Sequence, residues 1–161
     1  MMQMNNNIQV GEFYHFFDDG KTSPSRHYIC KCEGIITVEE SKELLFESYY
    51  WSEENNTSVT LTLYDIWTKN KELCPWLYDD DTPYFIVCSC PKYDDNLLYF
   101  VKTKSDGWFS MDVKSWWQSG ELDIDSNKFN RIIQEWKEIL ERHPDDLFAR
   151  DRIKAHNEIV Y

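Results

Sequence analysis

The chain has 161 residues, of which 42% are hydrophobic and 16% aromatic, with only 5 Gly and 5 Pro. This composition supplies enough apolar material to close a core without disulfides or metal, and it excludes collagen-like and low-complexity chains. Asp and Glu outnumber Lys and Arg by 29 to 17, so the formal charge is -12. Because that charge repels phosphate backbones and anionic lipid, we expect neither direct nucleic-acid binding nor membrane binding.

Compartment and domain count are predicted from the same general features. Residues 1–7 lack the basic start and apolar stretch of an export signal, and later apolar runs are shorter than the roughly 18 residues of a membrane-spanning helix. We therefore expect a soluble, cytoplasmic protein whose 5 cysteines stay reduced. We expect a single domain over residues 1–161, mainly β in residues 8–113 and mainly α in residues 114–161.

The first part of the chain predicts an opening hairpin and a short helix. Strand-like residues 8–17 are followed by an Asp-Gly turn and by a second strand at about residues 26–38. Residues 39–46 predict a short helix with Thr37 as its N-cap. The apolar residues that we expect this helix to turn inward are Leu44, Leu45 and Phe46.

Four further strands are predicted in the middle of the chain. Residues 58–67 alternate Thr with larger apolar residues, which is the period of a half-buried strand. Later strands, separated by turn residues, are expected at residues 84–90, 97–104 and 108–113. Together these elements predict an antiparallel meander of about five or six strands. Strand count and turn spacing suggest that the meander curls into a small SH3-like barrel.

Beyond residue 115 the apolar period changes to three and four, which predicts two C-terminal helices and an α+β fold. The apolar stripe of the first helix comprises Phe129, Ile132, Ile133, Trp136, Ile139 and Leu140. Asp125 or Ser126 can cap this helix, and Pro144 ends it because proline clashes with the preceding turn. Pro144 then introduces a second helix over residues 147–159.

Two Cys-x-Cys pairs lie on predicted strands, Cys30 with Cys32 and Cys88 with Cys90. Strand alternation places both sulfurs of a pair on one face, so four thiolates would approach a tetrahedral zinc site if the two strands were neighbours. The spacing departs from the Cys-x2-Cys of zinc ribbons, and free Cys is a common core residue. We therefore expect buried thiols and no cofactor, and we keep these four residues as the candidate metal ligands.

Other catalytic signatures are missing from the sequence. No pair of the 4 histidines has helical metal-ligand spacing, and no glycine-rich phosphate loop or nucleophile motif occurs. Residues 79–81 are three consecutive Asp without the alternating ligands and central Gly of an EF-hand loop. We therefore favour a protein that is not an enzyme.

Large aromatic rings are concentrated in residues 107–120. One interpretation is structural, since such rings seal helices onto a sheet. The functional interpretation is an aromatic anchor for a partner protein, formed by Trp117 with Trp116, Trp108 and Gln118. We predict that Trp117 is the exposed member, because adjacent Trp116 and Trp117 do not easily point into one core.

Acidic residues are concentrated in residues 39–54, in residues 79–81 and at Asp94 and Asp95. These runs indicate either a solvated surface or a docking face for a basic partner. The sequence favours a non-enzymatic interaction or accessory protein, similar in kind to immunity proteins, that binds another protein through an acidic and aromatic surface. The alternatives are a small hydrolase or metal-dependent enzyme, and an acidic mimic of nucleic acid.

Overall fold

The structure, a computed structural model, describes residues 8–18, 27–54, 56–114, 119–124, 127–157 and 159–160. Its strands are β1 (Phe13–Asp18), β2 (His27–Thr37), β3 (Leu45–Ser48), β4 (Val59–Thr62), β5 (Tyr84–Cys90), β6 (Asn96–Lys102), β7 (Trp108–Ser110), β8 (Gly120–Asp123) and β9 (Ile159–Val160). Its α-helices are α1 (Val38–Ser41), α2 (Leu63–Leu73), α3 (Asn127–Arg142) and α4 (Leu147–Asn157), and a 3-10 turn covers Pro91–Tyr93.

Six antiparallel strands close into a β-barrel. Going around the barrel, the order is β1, β2, β5, β6, β7 and β8, and β8 pairs again with β1. Each strand therefore lies beside its neighbour in the sequence, except that β3, β4 and α2 are inserted between β2 and β5. The α+β class and the antiparallel meander predicted from the sequence are confirmed.

The barrel interior is filled by side chains from alternate positions of each strand. On β5, Ile86 and Cys88 point inward, whereas Phe85 and Val87 point outward to a second core. The centre is aromatic: Phe16 packs edge-to-face on Phe100, with ring centroids 5.7 Å apart, and both rings are fully buried. The interior is thus a packed core.

The second core lies between α2 and the outer face of β5, β6 and β7. Leu63, Ile66 and Trp67 form the apolar stripe of α2, and all three are buried. Trp67 packs edge-on against Tyr78, at a centroid distance of 5.6 Å. Burying a side chain of this size contributes about 1.5 to 3 kcal/mol, so this stripe holds the insertion on the barrel.

The predicted strand at residues 58–67 was wrong beyond Thr62, because α2 begins at Leu63. Thr62 Oγ1 accepts a hydrogen bond from the Asp65 N–H at 3.0 Å, and Asp65 Oδ2 accepts one from the Thr62 N–H at 3.2 Å. This capping box satisfies two backbone donors at the helix start. The local alternation of Thr and apolar residues was outweighed by that cap and by the helical stripe that follows it.

The predicted helix at residues 39–46 was too long. Thr37 does cap α1, in a capping box with Glu40, but the helix ends at Ser41. Leu45 and Phe46 instead begin β3, which pairs with β4 as a separate two-stranded sheet. Leu45 is 65% exposed, so the expectation that it faces inward was also wrong. A strand places neighbouring side chains on opposite faces, whereas in a helix they differ in direction by only about 100°.

The C-terminal region contains the two helices that the sequence predicts. α3 ends before Pro144, and Trp136 of α3 packs edge-on against Phe148 of α4. Two short strands were missed: β8 completes the barrel, and β9 pairs in parallel with β2 where the second helix was expected to continue. The cap candidates Asp125 and Ser126 lie outside the described residues. Within the described ranges, no helix is both long enough and apolar enough to cross a bilayer.

Candidate functional site

The β3 strand presents one buried face and one exposed face. Phe46 and Ser48 turn toward the protein, where Phe46 packs edge-on against Tyr99 at a centroid distance of 5.2 Å. Leu45, Glu47 and Tyr49 alternate with them and face solvent, with Leu45 65% and Tyr49 66% exposed. We call Leu45, Glu47 and Tyr49 the hairpin surface. Two large exposed side chains, one on β3 and one just after it, thus flank the carboxylate of Glu47.

One edge of β3 is available for pairing. Among the strands that the structure describes, β3 pairs with β4 alone, from Leu45 opposite Thr62 to Ser48 opposite Val59. The outer edge of such a strand carries alternating N–H and C=O groups that a further strand can bind. The hairpin surface therefore lies directly beside a potential pairing edge.

The charge around the hairpin surface is strongly negative. Residues 39–54 contain six Glu and one Lys, a net charge of -5, and all six Glu are exposed. The single cation, Lys42, pairs with Glu39 at 3.2 Å and lies over the ring of Tyr64, with its Nζ 5.2 Å from the centroid. The other five carboxylates therefore dominate the local potential.

The hairpin is anchored to the barrel at defined points. The Leu63 N–H donates to the Leu44 carbonyl at 2.8 Å, which continues the β3–β4 ladder to the start of α2, and the Trp51 indole N–H donates to the Asp112 carbonyl at 2.6 Å, just after β7. These bonds, together with the burial of Phe46, hold the hairpin surface in a fixed orientation. A preformed surface loses less conformational entropy when it binds.

A half-buried carboxyl group lies behind the hairpin, at Asp112. Buried Asn70 fixes its backbone: the Asn70 side chain accepts from the Asp112 N–H at 3.1 Å and donates to the Asp112 carbonyl at 3.3 Å. Burial raises the pKa of the Asp112 carboxyl to about 6. Burial, and secondarily this carboxylate, also raises the pKa of Cys74 and of Tyr50. A carboxyl with such a pKa can exchange protons near neutral pH.

The structure brings the four candidate metal ligands together inside the barrel. Cys32 lies directly opposite Cys88 on the paired strands β2 and β5, and the same register places Cys30 opposite Cys90. All four side chains are fully buried. In the described part of the chain, however, no group of three or more His, Cys, Asp or Glu side chains has an arrangement suited to a metal ion. The sulfurs form two neighbouring thiol pairs.

Within each thiol pair the two pKa values move apart. A hydrogen bond from Cys88 lowers the pKa of Cys32 to about 7, and the same bond, with burial, raises the pKa of Cys88. Hydrogen bonding likewise lowers the pKa of Cys90 and raises that of Cys30. Each pair therefore consists of one proton donor and one sulfur that ionises more readily.

Two histidines meet on the opposite side of the barrel wall. His15 Nδ1 contacts His27 Nε2, and the fully buried His27 ring stacks on Phe17 with centroids 5.0 Å apart. Burial lowers the pKa of His15, and the carboxylate of Asp123 on the paired strand opposes that effect. His27 is thus a packed histidine.

Of the four candidate anchor residues in the aromatic segment, the structure describes Trp108. Trp108 is 6% exposed and stacks on Tyr84 inside the barrel, so its indole is not accessible to a partner. Trp116, Trp117 and Gln118 lie outside the described residues. A different tryptophan, Trp76, is 73% exposed. Trp76 follows Pro75, three residues after the end of α2 and far from the aromatic segment at residues 107–120.

No family model, curated protein or solved structure matches this chain.

Proposed function

We propose that this chain is a non-enzymatic, cytoplasmic protein-binding module whose hairpin surface takes an extended, basic segment of another protein. The observation that carries the proposal is the exposure of Leu45, on the edge strand β3, and of Tyr49, just after it, on either side of Glu47 within the most acidic stretch of the chain. Large exposed apolar side chains with polar surroundings are characteristic of protein interaction sites.

The geometry supports strand addition as the binding mode. An incoming strand beside β3 would bond to its outer N–H and C=O groups, and its alternate side chains would lie next to the hairpin surface. Apolar residues of the partner would cover Leu45 and Tyr49, and a Lys or Arg would face Glu47. Because the surrounding carboxylates attract a basic segment over a distance, they favour fast association.

A second copy of the chain fits this edge poorly. Antiparallel pairing of two β3 strands would bring Glu47 and the neighbouring carboxylates of both copies together. Like charges on directly opposed strands destabilise the pair, and natural edge strands use such charges to avoid self-association. The charge therefore selects a partner of opposite sign.

Amide NMR titration with a short synthetic peptide that carries Val, Lys and Val at every second position, so that all three share one face of an extended strand, tests the proposal. We expect shifts centred on β3 that weaken as salt is added. The double variant Leu45→Ser/Tyr49→Ser should lose them, whereas Leu97→Ser, which changes a 47% exposed leucine on β6, should keep them. A peptide with Glu in place of Lys is the matched control. Unchanged β3 amides at saturating Lys peptide would contradict the proposal.

The same variants separate the proposal from an acidic mimic of nucleic acid. A mimic presents charge alone, so Leu45→Ser/Tyr49→Ser would leave its binding to basic partners intact. The double substitution Glu43→Gln/Glu47→Gln would weaken binding in both cases. Retained binding in the apolar variant therefore favours mimicry over strand addition.

A small hydrolase is the second candidate, because Asp112 has a pKa of about 6 and lies beside Cys74 and Tyr50. Raised carboxyl pKa values are typical of general acids and bases. A panel of ester and amide substrates, assayed across pH, tests it. Hydrolysis that Asp112→Asn abolishes would support the enzyme; turnover that survives the substitution would exclude this carboxyl as its acid or base.

A further inference from the structure

The backbone around the cysteines shows how each thiol pair is spaced. The Cys32 N–H donates to the Glu12 carbonyl at 2.9 Å, and the Cys32 carbonyl accepts from the Gly11 N–H at 2.8 Å. Both backbone groups of Cys32 therefore point toward the segment that leads into β1, away from β5. In an antiparallel pair this defines the non-hydrogen-bonded position, where Cα atoms are about 4.5 Å apart and the side chains are closest.

The second pair, Cys30 and Cys90, has the same geometry, as the backbone bonds of Cys90 on β5 show. The Cys90 carbonyl accepts from the Asp95 N–H at 3.1 Å, on the side of β6, where Cys90 lies opposite Asn96. Cys90 thus directs its backbone away from β2, and its pairing with Cys30 is also non-hydrogen-bonded. Disulfides form at Cα separations of about 4.4 to 6.8 Å, so both pairs have a suitable spacing.

We propose that the barrel interior is a redox site in which peroxide oxidises these four thiols to two cross-strand disulfides, Cys30–Cys90 and Cys32–Cys88. The direct register, the non-hydrogen-bonded spacing and the shared inward face carry the proposal. The lower pKa of one sulfur in each pair supplies the thiolate that starts the reaction.

Each pair reacts in two balanced steps. The Cys32 thiolate attacks hydrogen peroxide, the O–O bond breaks, and the sulfur becomes a sulfenic acid while hydroxide leaves and takes up a proton as water. The Cys88 sulfur, after losing its proton, then attacks Cys32; the S–S bond forms, the S–O bond breaks and a second water leaves. Two electrons pass from each thiol pair to one peroxide. Cys90 and Cys30 follow the same course.

The disulfides would link β2 to β5 across the inserted segment that carries β3, β4 and α2. Each closes a long loop of the chain, and crosslinks of long loops restrict the unfolded state most. Oxidation would therefore lock β2 to β5, the two barrel strands between which the insertion leaves and returns.

Intact mass and urea melts of the full chain test the proposal directly. Two disulfides remove four hydrogen atoms, so peroxide treatment should lower the mass by about 4 Da, and dithiothreitol should restore it. The oxidised protein should unfold at a higher urea concentration than the reduced protein. A mass increase of about 16 Da per added oxygen, without any loss of hydrogen, would overturn the proposal.

Two double variants that each remove two sulfurs from the same interior provide the matched comparison. Cys30→Ala/Cys90→Ala keeps one direct pair and should lose about 2 Da on oxidation. Of the four barrel thiols, Cys30→Ala/Cys88→Ala keeps Cys32 and Cys90, which lie diagonally at about 7 to 8 Å and should not join. Equal behaviour of the two variants would contradict the assigned pairing.

Zinc provides an independent test on the reduced wild-type protein. If zinc ions bind stoichiometrically and protect all four thiols from peroxide and from alkylation, the cluster is a metal site and the disulfide assignment is wrong. If the thiols react equally with and without zinc, the redox assignment stands.

Discussion

The substitution Asp112→Asn should stabilise the protein at pH 8. Burial raises the pKa of Asp112 from 3.8 to about 6, so keeping this carboxylate ionised in the folded state costs free energy. The difference corresponds to about 3 kcal/mol, at roughly 1.36 kcal/mol per pH unit. Because the carboxyl is only half-buried, solvent screens part of the cost. We therefore expect Asn, which is neutral and similar in shape, to increase the free energy of unfolding by about 1 to 2 kcal/mol.

The raised pKa of Asp112 also determines how the free energy of unfolding changes with pH. The folded state holds the proton of Asp112 more tightly than the unfolded state, so the wild type loses stability relative to the variant as the pH rises from about 4 through about 6. Urea melts of both proteins at pH 4 and pH 8 measure it, and the gain should be small at pH 4. Asp80→Asn, the same change on an exposed loop, is the control. An equal gain at both pH values, or an equal gain in the control, would refute the reasoning.

Further predictions concern the barrel and its thiols. Gly120→Ala should lower the free energy of unfolding by about 3 kcal/mol or more, because its Cβ would overlap the ring of Phe16; at Gly34 a Cβ has nothing within 4 Å, so Gly34→Ala is the control in parallel urea melts. Trp117→Ala should leave the urea midpoint nearly unchanged if this residue is an exposed anchor, and a strong decrease would assign it to the core. Peroxide oxidation, followed by mass, should accelerate as the pH rises through about 7, because Cys32 ionises there. Elemental analysis of the purified chain should find no stoichiometric zinc, and chelation should leave it folded.

Five of the six barrel strands were predictable because their turns and apolar periods agree. The segment around Thr62 was not predicted correctly, since its alternation favours a strand until the capping box with Asp65 is recognised. β8 is only four residues long and lacks a long apolar run. Its pairing with β1 depends on a contact between distant parts of the chain, which no local pattern reveals.

The sequence predicts part of the arrangement of the four barrel cysteines. Alternation alone places Cys30 with Cys32, and Cys88 with Cys90, on one face of each strand. Their direct opposition depends on the register of β2 against β5, which shifts between Cys32 and Gly34. The hairpin surface could not be predicted from the sequence for a related reason. The exposure of Leu45 follows only once the preceding helix is known to end at Ser41.

Closure of the barrel has a consequence for how the chain acquires its structure. β1 is paired with β8, so that His15 lies opposite Asp123, more than a hundred positions later in the chain. During synthesis, the hairpins from β5 to β8 can form as soon as they emerge, but β1 has no partner on that side until β8 has been made. Contacts between such distant residues are slow to form, because a long loop must be closed first. Until then, both edges of the incomplete sheet stay open, and the nascent chain passes through its most aggregation-prone stage just before the last strand arrives.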